Sequence, residues 1–200
     1  ASLLPVGELA FRLNLLSAAL SALAGVLFFA LARLILEAVA PSTFSQNRDV
    51  LAIGLAWAHG LCHASVAQAV RVEVYALNQA LTLALILLAA QQLLHPSGAA
   101  APRRLSLAFF LLGLAPCNHH FLIVLASPAL LVALILSWRS IGALTLLRSA
   151  PFLLLGLIPY AYLPLRAYGG AWPTWAGAIP PRLRASSTSS RVRPVSAAAC

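Results

Sequence analysis

The sequence predicts an all-α, polytopic transmembrane protein, and three observations lead to this prediction. Of the 200 residues, 62% are hydrophobic, and the mean hydropathy is +0.92. Only 8% are charged, against roughly 25% in ordinary soluble domains. A soluble domain of this length could not bury so much apolar surface. Helices that satisfy their own backbone hydrogen bonds can instead place that surface in a bilayer.

Six apolar runs approach the length of about 20 residues that a membrane-crossing helix needs. They cover residues 15–32, 50–69, 74–94, 105–117, 121–138 and 141–165. Arg12 and Arg33 bound the first run. The fourth is short for a full span, so we expect it to start earlier, to tilt or to end inside the protein. Arg148 and three prolines interrupt the sixth.

Composition also divides the chain. We expect residues 1–178 to form one multi-pass module of about six spans that is incomplete at both ends, since the chain does not begin with Met. Residues 179–200 are rich in Arg and Ser, which predicts a disordered or aberrant tail.

The arginines indicate how such a module is oriented. Alternating the six helices assigns six arginines to one side of the membrane, namely Arg33, Arg48, Arg103, Arg104, Arg139 and Arg148. Three arginines before the tail fall on the other side, namely Arg12, Arg71 and Arg166. The positive-inside rule then makes the first side cytoplasmic. The extracytoplasmic side also collects Asn14, Glu73, Asn118, His119 and His120.

Two polar segments on that extracytoplasmic side are candidate binding elements. Arg71 and Glu73 are two positions apart, so on a helix their side chains point about 200° apart and do not pair. Either they end a solvated helix, or Glu73 faces a polar cavity, where ionisable groups near a membrane are commonly functional. Tyr75 suits an interfacial anchor. Asn118, His119 and His120 form either a polar turn or a site for phosphate or sugar hydroxyls.

The net charge of +9 does not predict nucleic-acid binding, because the arginines stand singly at the ends of apolar runs. His59 and His63 are four positions apart, so on a continuous helix they share one face. That spacing suits a metal, but no third ligand is evident, so a polar interior face is the preferred interpretation. The three cysteines are far apart and predict no disulfide framework.

Several segments resemble one family of multi-pass membrane proteins. The matching segments are "LPVGELAFRLNLLSAALSALA", "AQAVRVEVYALNQAL", "FFLLGLAPCNHHFLIVLASPALL" and "LGLIPYAYLPLRA", in the order that the family shows. Many bacterial members are known only as a domain of unknown function. The animal member is the endoplasmic-reticulum O-mannosyltransferase that modifies IPT domains of plexins and related receptors. The similarity covers roughly residues 3–178.

The resemblance implies a partial GT-C-like fold and a membrane glycosyltransferase. Such enzymes take a sugar, with mannose as a candidate, from a polyprenyl-phosphate donor and pass it to a protein or glycan acceptor on the extracytoplasmic side. No cofactor or metal is implied, and the expected location is the cell membrane, in bacteria the inner membrane. The expected substrate-binding residues are Arg71, Glu73, Tyr75, Asn118, His119, His120 and Arg166.

The catalytic residue is not among them. In this family an acidic residue in the first extracytoplasmic loop is the expected catalytic acid, and it would precede this chain. We therefore expect these 200 residues to be inactive alone. Two alternatives stay open, a transporter or flippase for a lipid-linked or anionic substrate and an inactive truncated fragment.

Overall fold

The computed structural model describes residues 7–42, 46–70, 74–118 and 120–168. Every regular element in these ranges is a helix, which confirms the all-α prediction. The helices are α1 Leu9–Val39, α2 Arg48–Leu61, α3 His63–Ala69, α4 Tyr75–Leu94, α5 Ala101–Asn118, α6 His120–Ile141, α7 Ala143–Ser149, α8 Pro151–Gly156 and α9 Ile158–Tyr168. The chain divides into two compact units, Ala1–Ala161 and Tyr162–Cys200, and of the second only the end of α9 is described.

Three helical segments among the described residues are long and apolar enough to cross a membrane. They are Leu9–Val39, Tyr75–Leu94 and Ala143–Tyr162, and the bent pair α2–α3 makes a fourth if it counts as one span. Many large apolar side chains on the outer faces are exposed, among them Val26, Leu136 and Leu147. Since such surface is unfavourable in water, these faces suit contact with lipid.

The first helix is longer than the sequence predicted. We expected a run bounded by Arg12 and Arg33, but α1 has 31 residues and continues past both arginines. The Arg12 guanidinium donates from Nε and Nη2 to the carbonyl oxygen of Gly7, at 3.1 and 2.9 Å. An arginine that finds a partner next to its own helix does not have to end that helix.

The second run is broken, which corrects the expectation of one helix over residues 50–69. The α2 helix ends at Leu61, and Cys62 has extended backbone angles, φ −63° and ψ 146°. The α3 helix then starts at His63, bent by 65° from α2. His59 and His63 therefore do not lie on one continuous helix face, and the predicted shared face is wrong.

The later runs agree better with the sequence. The α4 helix, Tyr75–Leu94, nearly coincides with the predicted run. The short fourth run does start earlier, since α5 begins at Ala101. The sixth is divided into α7, α8 and α9. Its two breaks fall at Ala150, before Pro151, which lacks a backbone donor, and at Leu157. Gly142, which has φ +73°, separates α7 from α6.

The α4 helix lies between two apolar clusters of the first unit. On one face, Leu81, Leu85 and Leu88 pack with residues of α5 and α6, including Ala108 and Leu130. On another face, alanine and leucine side chains of α4 pack with α1. Because successive turns of α4 are buried on more than one side, this helix organises the unit.

The α5 and α8 helices approach closely at two glycines. A Cβ atom built on Gly113 would overlap the carbonyl oxygen of Leu153 and lie 3.2 Å from the Cα atom of Gly156. A Cβ atom on Gly156 would overlap the carbonyl oxygen of Phe110. Small residues permit such contact between the backbones of membrane helices, and the pair fixes how α5 and α8 pack.

Two ion pairs join the end of α1 to the start of α2. Arg33 Nε lies 2.8 Å from Asp49 Oδ1, and Arg48 Nη1 lies 3.3 Å from Glu37 Oε2. The sequence assigned Arg33 and Arg48 to one side of the membrane, and these contacts place them close together.

We expect Asp49→Asn to lower the free energy of unfolding by less than about 1 kcal/mol, because both partners of the Arg33 pair are exposed. Urea unfolding of the protein in detergent micelles measures the change. The charge-reversed double variant Arg33→Asp, Asp49→Arg should recover most of the loss. A loss in Asp49→Asn of several kcal/mol would contradict this view of the pair.

Candidate functional site

The end of α5 meets the start of α4 through one side-chain hydrogen bond. The amide nitrogen Nδ2 of Asn118 donates to the carbonyl oxygen of Val74 over 2.9 Å. The same carbonyl oxygen accepts the backbone N–H of Asn78 over 3.1 Å. Asn118 and Val74 are 44 positions apart in sequence. Tertiary packing therefore brings together the end of α5 and the start of α4, which the sequence had only assigned to the same side of the membrane.

Tyr75 and Asn118 are the predicted site residues whose side chains the structure describes. Tyr75 is the first residue of α4 and is 38% exposed. It directly follows Val74, whose carbonyl group accepts the hydrogen bond from Asn118. Asn118 is the last residue of α5. The structure thus brings the Asn118 side chain to the residue that precedes Tyr75.

The other predicted site residues are Arg71, Glu73, His119, His120 and Arg166. Arg71, Glu73 and His119 lie outside the described residues. His120 starts α6 and Arg166 lies in α9, but their side chains are outside what the structure describes. Their predicted roles stay predictions.

The acidic residues lie in three separate segments of the sequence. The chain has four acidic residues in all. Glu37 and Asp49 pair with arginines between α1 and α2, while Glu8 precedes α1. Glu73 is therefore the acidic residue nearest in sequence to the Asn118–Val74 contact.

A second polar cluster joins α4 to the broken helix α2–α3. Nε2 of Gln79 lies 2.9 Å from Nε2 of His59 and 3.3 Å from Oγ of Ser65. Ser65 Oγ also accepts from Sγ of Cys62 over 3.3 Å. The His59 ring stacks on Phe28 of α1, with centroids 4.4 Å apart and planes inclined by 4°. His59 is thus half-buried and packed against Phe28, whereas His63 is exposed, so the predicted polar interior face of both histidines is wrong.

Gln79, His59 and Ser65 line a pocket of about 420 Å³ among α1, α2, α3 and α4. Among the described residues, its polar lining side chains are Ser21, His59, Ser65 and Gln79, and none that lines it is Asp, Glu, Lys or Arg. The volume falls in the range of about 300–1,000 Å³ that is usual for small-molecule sites. Trp57 adds an aromatic wall.

Several buried polar atoms have no hydrogen-bond partner among the described residues. They include Oγ of Ser21, Oε1 of Gln79 and both side-chain amide atoms of Asn78. Asn78 is fully buried at 0% exposure. Buried polar groups are nearly always satisfied in proteins, so each of these atoms needs a reason.

The sequence reasoning missed Asn78, Gln79, Ser21 and Ser65. A signal for the first two was present, because two adjacent amide residues interrupt the apolar run 74–94. The roles of Asn78 and Gln79 depend on which neighbouring helix each side chain faces. The sequence does not show which helices are neighbours. As for metals, no three His, Cys, Asp or Glu side chains cluster within the described ranges.

Comparison with known proteins gives one match. The family model described as "Protein O-mannosyl-transferase TMEM260 N-terminal domain" matches residues 1–141. A search of curated proteins and a search of solved structures returned no match.

Proposed function

The chain belongs to the family of the protein O-mannosyl-transferase TMEM260 N-terminal domain, and from this premise we propose that it forms the donor-binding membrane part of a glycosyltransferase. The donor is a polyprenyl-phosphate-linked sugar, with mannose as the first candidate. The acceptor is a protein or a glycan on the extracytoplasmic side of a cell membrane, in bacteria the inner membrane. The donor is a substrate, and the proposal includes no cofactor.

The observation that carries the proposal is the contact between Asn118 and Val74. It joins Val74, directly before α4, to Asn118, the last residue of α5. In sequence, Arg71 and Glu73 shortly precede Val74, and His119 and His120 directly follow Asn118. We therefore propose that these groups act together on a phosphate and a sugar.

Each residue type suits a distinct task in such a transfer. The guanidinium groups of Arg71 and Arg166 can hold a phosphate through two parallel hydrogen bonds. His119 and His120 can donate to the phosphate as it leaves, which stabilises the charge that develops there. Glu73 can accept hydrogen bonds from sugar hydroxyls. The carboxylate base that activates the acceptor hydroxyl is not assigned to this chain.

Donor binding tests the proposal directly. The full-length protein in membranes is given a radiolabelled polyprenyl-phosphate mannose and a candidate acceptor protein. We expect Arg166→Ala and Glu73→Gln each to weaken donor binding about tenfold, the effect of losing one charge-assisted hydrogen bond. The matched control is Arg139→Ala, which removes an arginine near the end of α6 and should leave binding unchanged.

Two results would overturn the proposal. One is the absence of any sugar transfer by the full-length protein. The other is donor binding that stays the same in Arg166→Ala and Glu73→Gln.

The broken helix α2–α3 gives a second candidate function some support. Discontinuous helices that line a cavity occur in transporters, and here the break at Cys62 lies beside the pocket. Proteoliposomes separate the two functions, because a flippase would move a fluorescent polyprenyl-phosphate sugar across the bilayer without transferring the sugar.

A further inference from the structure

We propose that the pocket among α1, α2, α3 and α4 binds an uncharged sugar ring. This inference rests on the proposed function for the role of that sugar, as the glycosyl group of the donor or a glycan acceptor. It adds a site that the predicted polar cluster does not contain.

The broken helix is the first argument for a binding site. Irregular backbone at membrane depth is tolerated where it is buried in protein or lines a cavity. The break at Cys62 satisfies this condition, since Gly60 and Leu61 before it and Ser65 and Val66 after it all line the pocket. The bend of 65° thus lies directly beside the pocket.

The hydrogen-bonding capacity left in the pocket is the second argument. Gln79 uses one end of its amide for His59 and Ser65, and its other end is buried without a partner among the described residues. Exchanging the oxygen and nitrogen of the amide would leave one end equally unsatisfied. A ligand hydroxyl satisfies either arrangement, because it both donates and accepts.

Ser21 supplies a similar group from the opposite wall. Its hydroxyl oxygen on α1 is buried and has no partner among the described residues, and its side chain lines the same pocket. Polar groups thus converge from α1, α3 and α4 on one space.

The described lining residues select the class of ligand. A phosphate or carboxylate would need a cationic partner, and none of the described lining residues is Arg or Lys. His59, the one described lining side chain that can carry a positive charge, already contacts Gln79 and stacks on Phe28. A sugar ring has several hydroxyl groups and apolar C–H faces, which suits a mostly apolar pocket with an aromatic wall at Trp57. Gln79 is one helical turn from Tyr75, about 6 Å along α4, so the pocket lies near the predicted phosphate-binding end.

Tryptophan fluorescence measures this binding without sugar transfer. The chain in lipid nanodiscs is titrated with octyl β-mannoside below its micellar concentration. We expect a saturable change in emission that disappears in Trp57→Phe. Gln79→Leu should raise the dissociation constant about tenfold, the cost of one lost hydrogen bond to a buried group. Ser21→Ala should raise the dissociation constant a few-fold. This variant removes a hydroxyl that makes no hydrogen bond among the described residues.

Controls distinguish the sugar from other sources of the same chemistry. Gln92→Leu changes the same residue type at the other end of α4 and should leave the dissociation constant unchanged. Octyl phosphate should give no saturable change. If dioctanoylglycerol binds equally well, the site belongs to a membrane lipid alcohol and the sugar proposal is overturned. The proposal is also overturned if neither Gln79→Leu nor Ser21→Ala changes the affinity for octyl mannoside.

The sugar site and the transferase proposal can fail separately. Transfer by the full-length protein, combined with mannoside binding that does not depend on Gln79 and Ser21, rejects the pocket alone. Gln79-dependent mannoside binding without any transfer supports the pocket and rejects the transferase.

Discussion

Replacing Gly113 by alanine should lower the free energy of unfolding by about 3 kcal/mol, a value at the upper end of overpacking effects. The added methyl group would overlap the backbone carbonyl oxygen of Leu153. A backbone atom within a helix cannot rotate away as a side chain can, so α5 and α8 would have to separate. Gly156→Ala should have an effect of similar size, since its methyl group would overlap the carbonyl oxygen of Phe110.

Gly54→Ala is the matched control for these two variants. Gly54 lies within α2, and nothing is within 4 Å of the position where its Cβ would be. Alanine has a higher helix propensity than glycine by about 1 kcal/mol, so this variant should be as stable as the parent or more stable. Chemical unfolding in detergent micelles, followed by circular dichroism, gives all three values. An unchanged stability in Gly113→Ala would contradict the close contact between α5 and α8.

Hydropathy predicted those parts of the fold that depend on one helix at a time. The run 74–94 became α4 almost residue for residue, and the early start of α5 was anticipated. The all-α class and the family resemblance were confirmed as well. These properties are encoded locally, in composition, apolar length and ordered motifs.

The features that the sequence missed depend on which helices meet. No proline marks the break at Cys62, whose surroundings "HGLCH" read as a continuous helix. His59 and Ser65, on either side of that break, both contact Gln79 of α4. The roles of Gly113 and Gly156 are equally invisible until α5 and α8 are known to touch.

The candidate site was predicted in the same partial way. Alternating the helices placed Asn118 on the same side as the start of α4, and the structure shows Asn118 in contact with Val74. The roles of the predicted site residues stay predictions. The pocket was not predicted, because its polar side chains come from four helices and share one space only once those helices meet.

Asn78→Leu should raise the free energy of unfolding by about 2 kcal/mol, because it removes a buried and unsatisfied amide. Asn78 is fully buried, and neither amide atom has a partner among the described residues. Leaving such a group unpaired costs about 1–3 kcal/mol, whereas an apolar side chain of similar size avoids that cost. Asn78 is three and seven positions before Leu81 and Leu85 on α4, so a leucine there would extend the apolar face packed against α5 and α6.

Gln92→Leu is the control for this variant, on the same helix and of related chemistry. Gln92 is also buried, but its Nε2 donates to the carbonyl oxygen of Pro96 over 3.0 Å, so replacing it loses a bond and should bring no comparable gain. Unfolding in detergent compares the two variants. If Asn78→Leu is less stable than the parent, the amide has a partner in the native protein. If it is more stable, the chain keeps a destabilising residue one turn from Val74, as expected where stability is exchanged for binding.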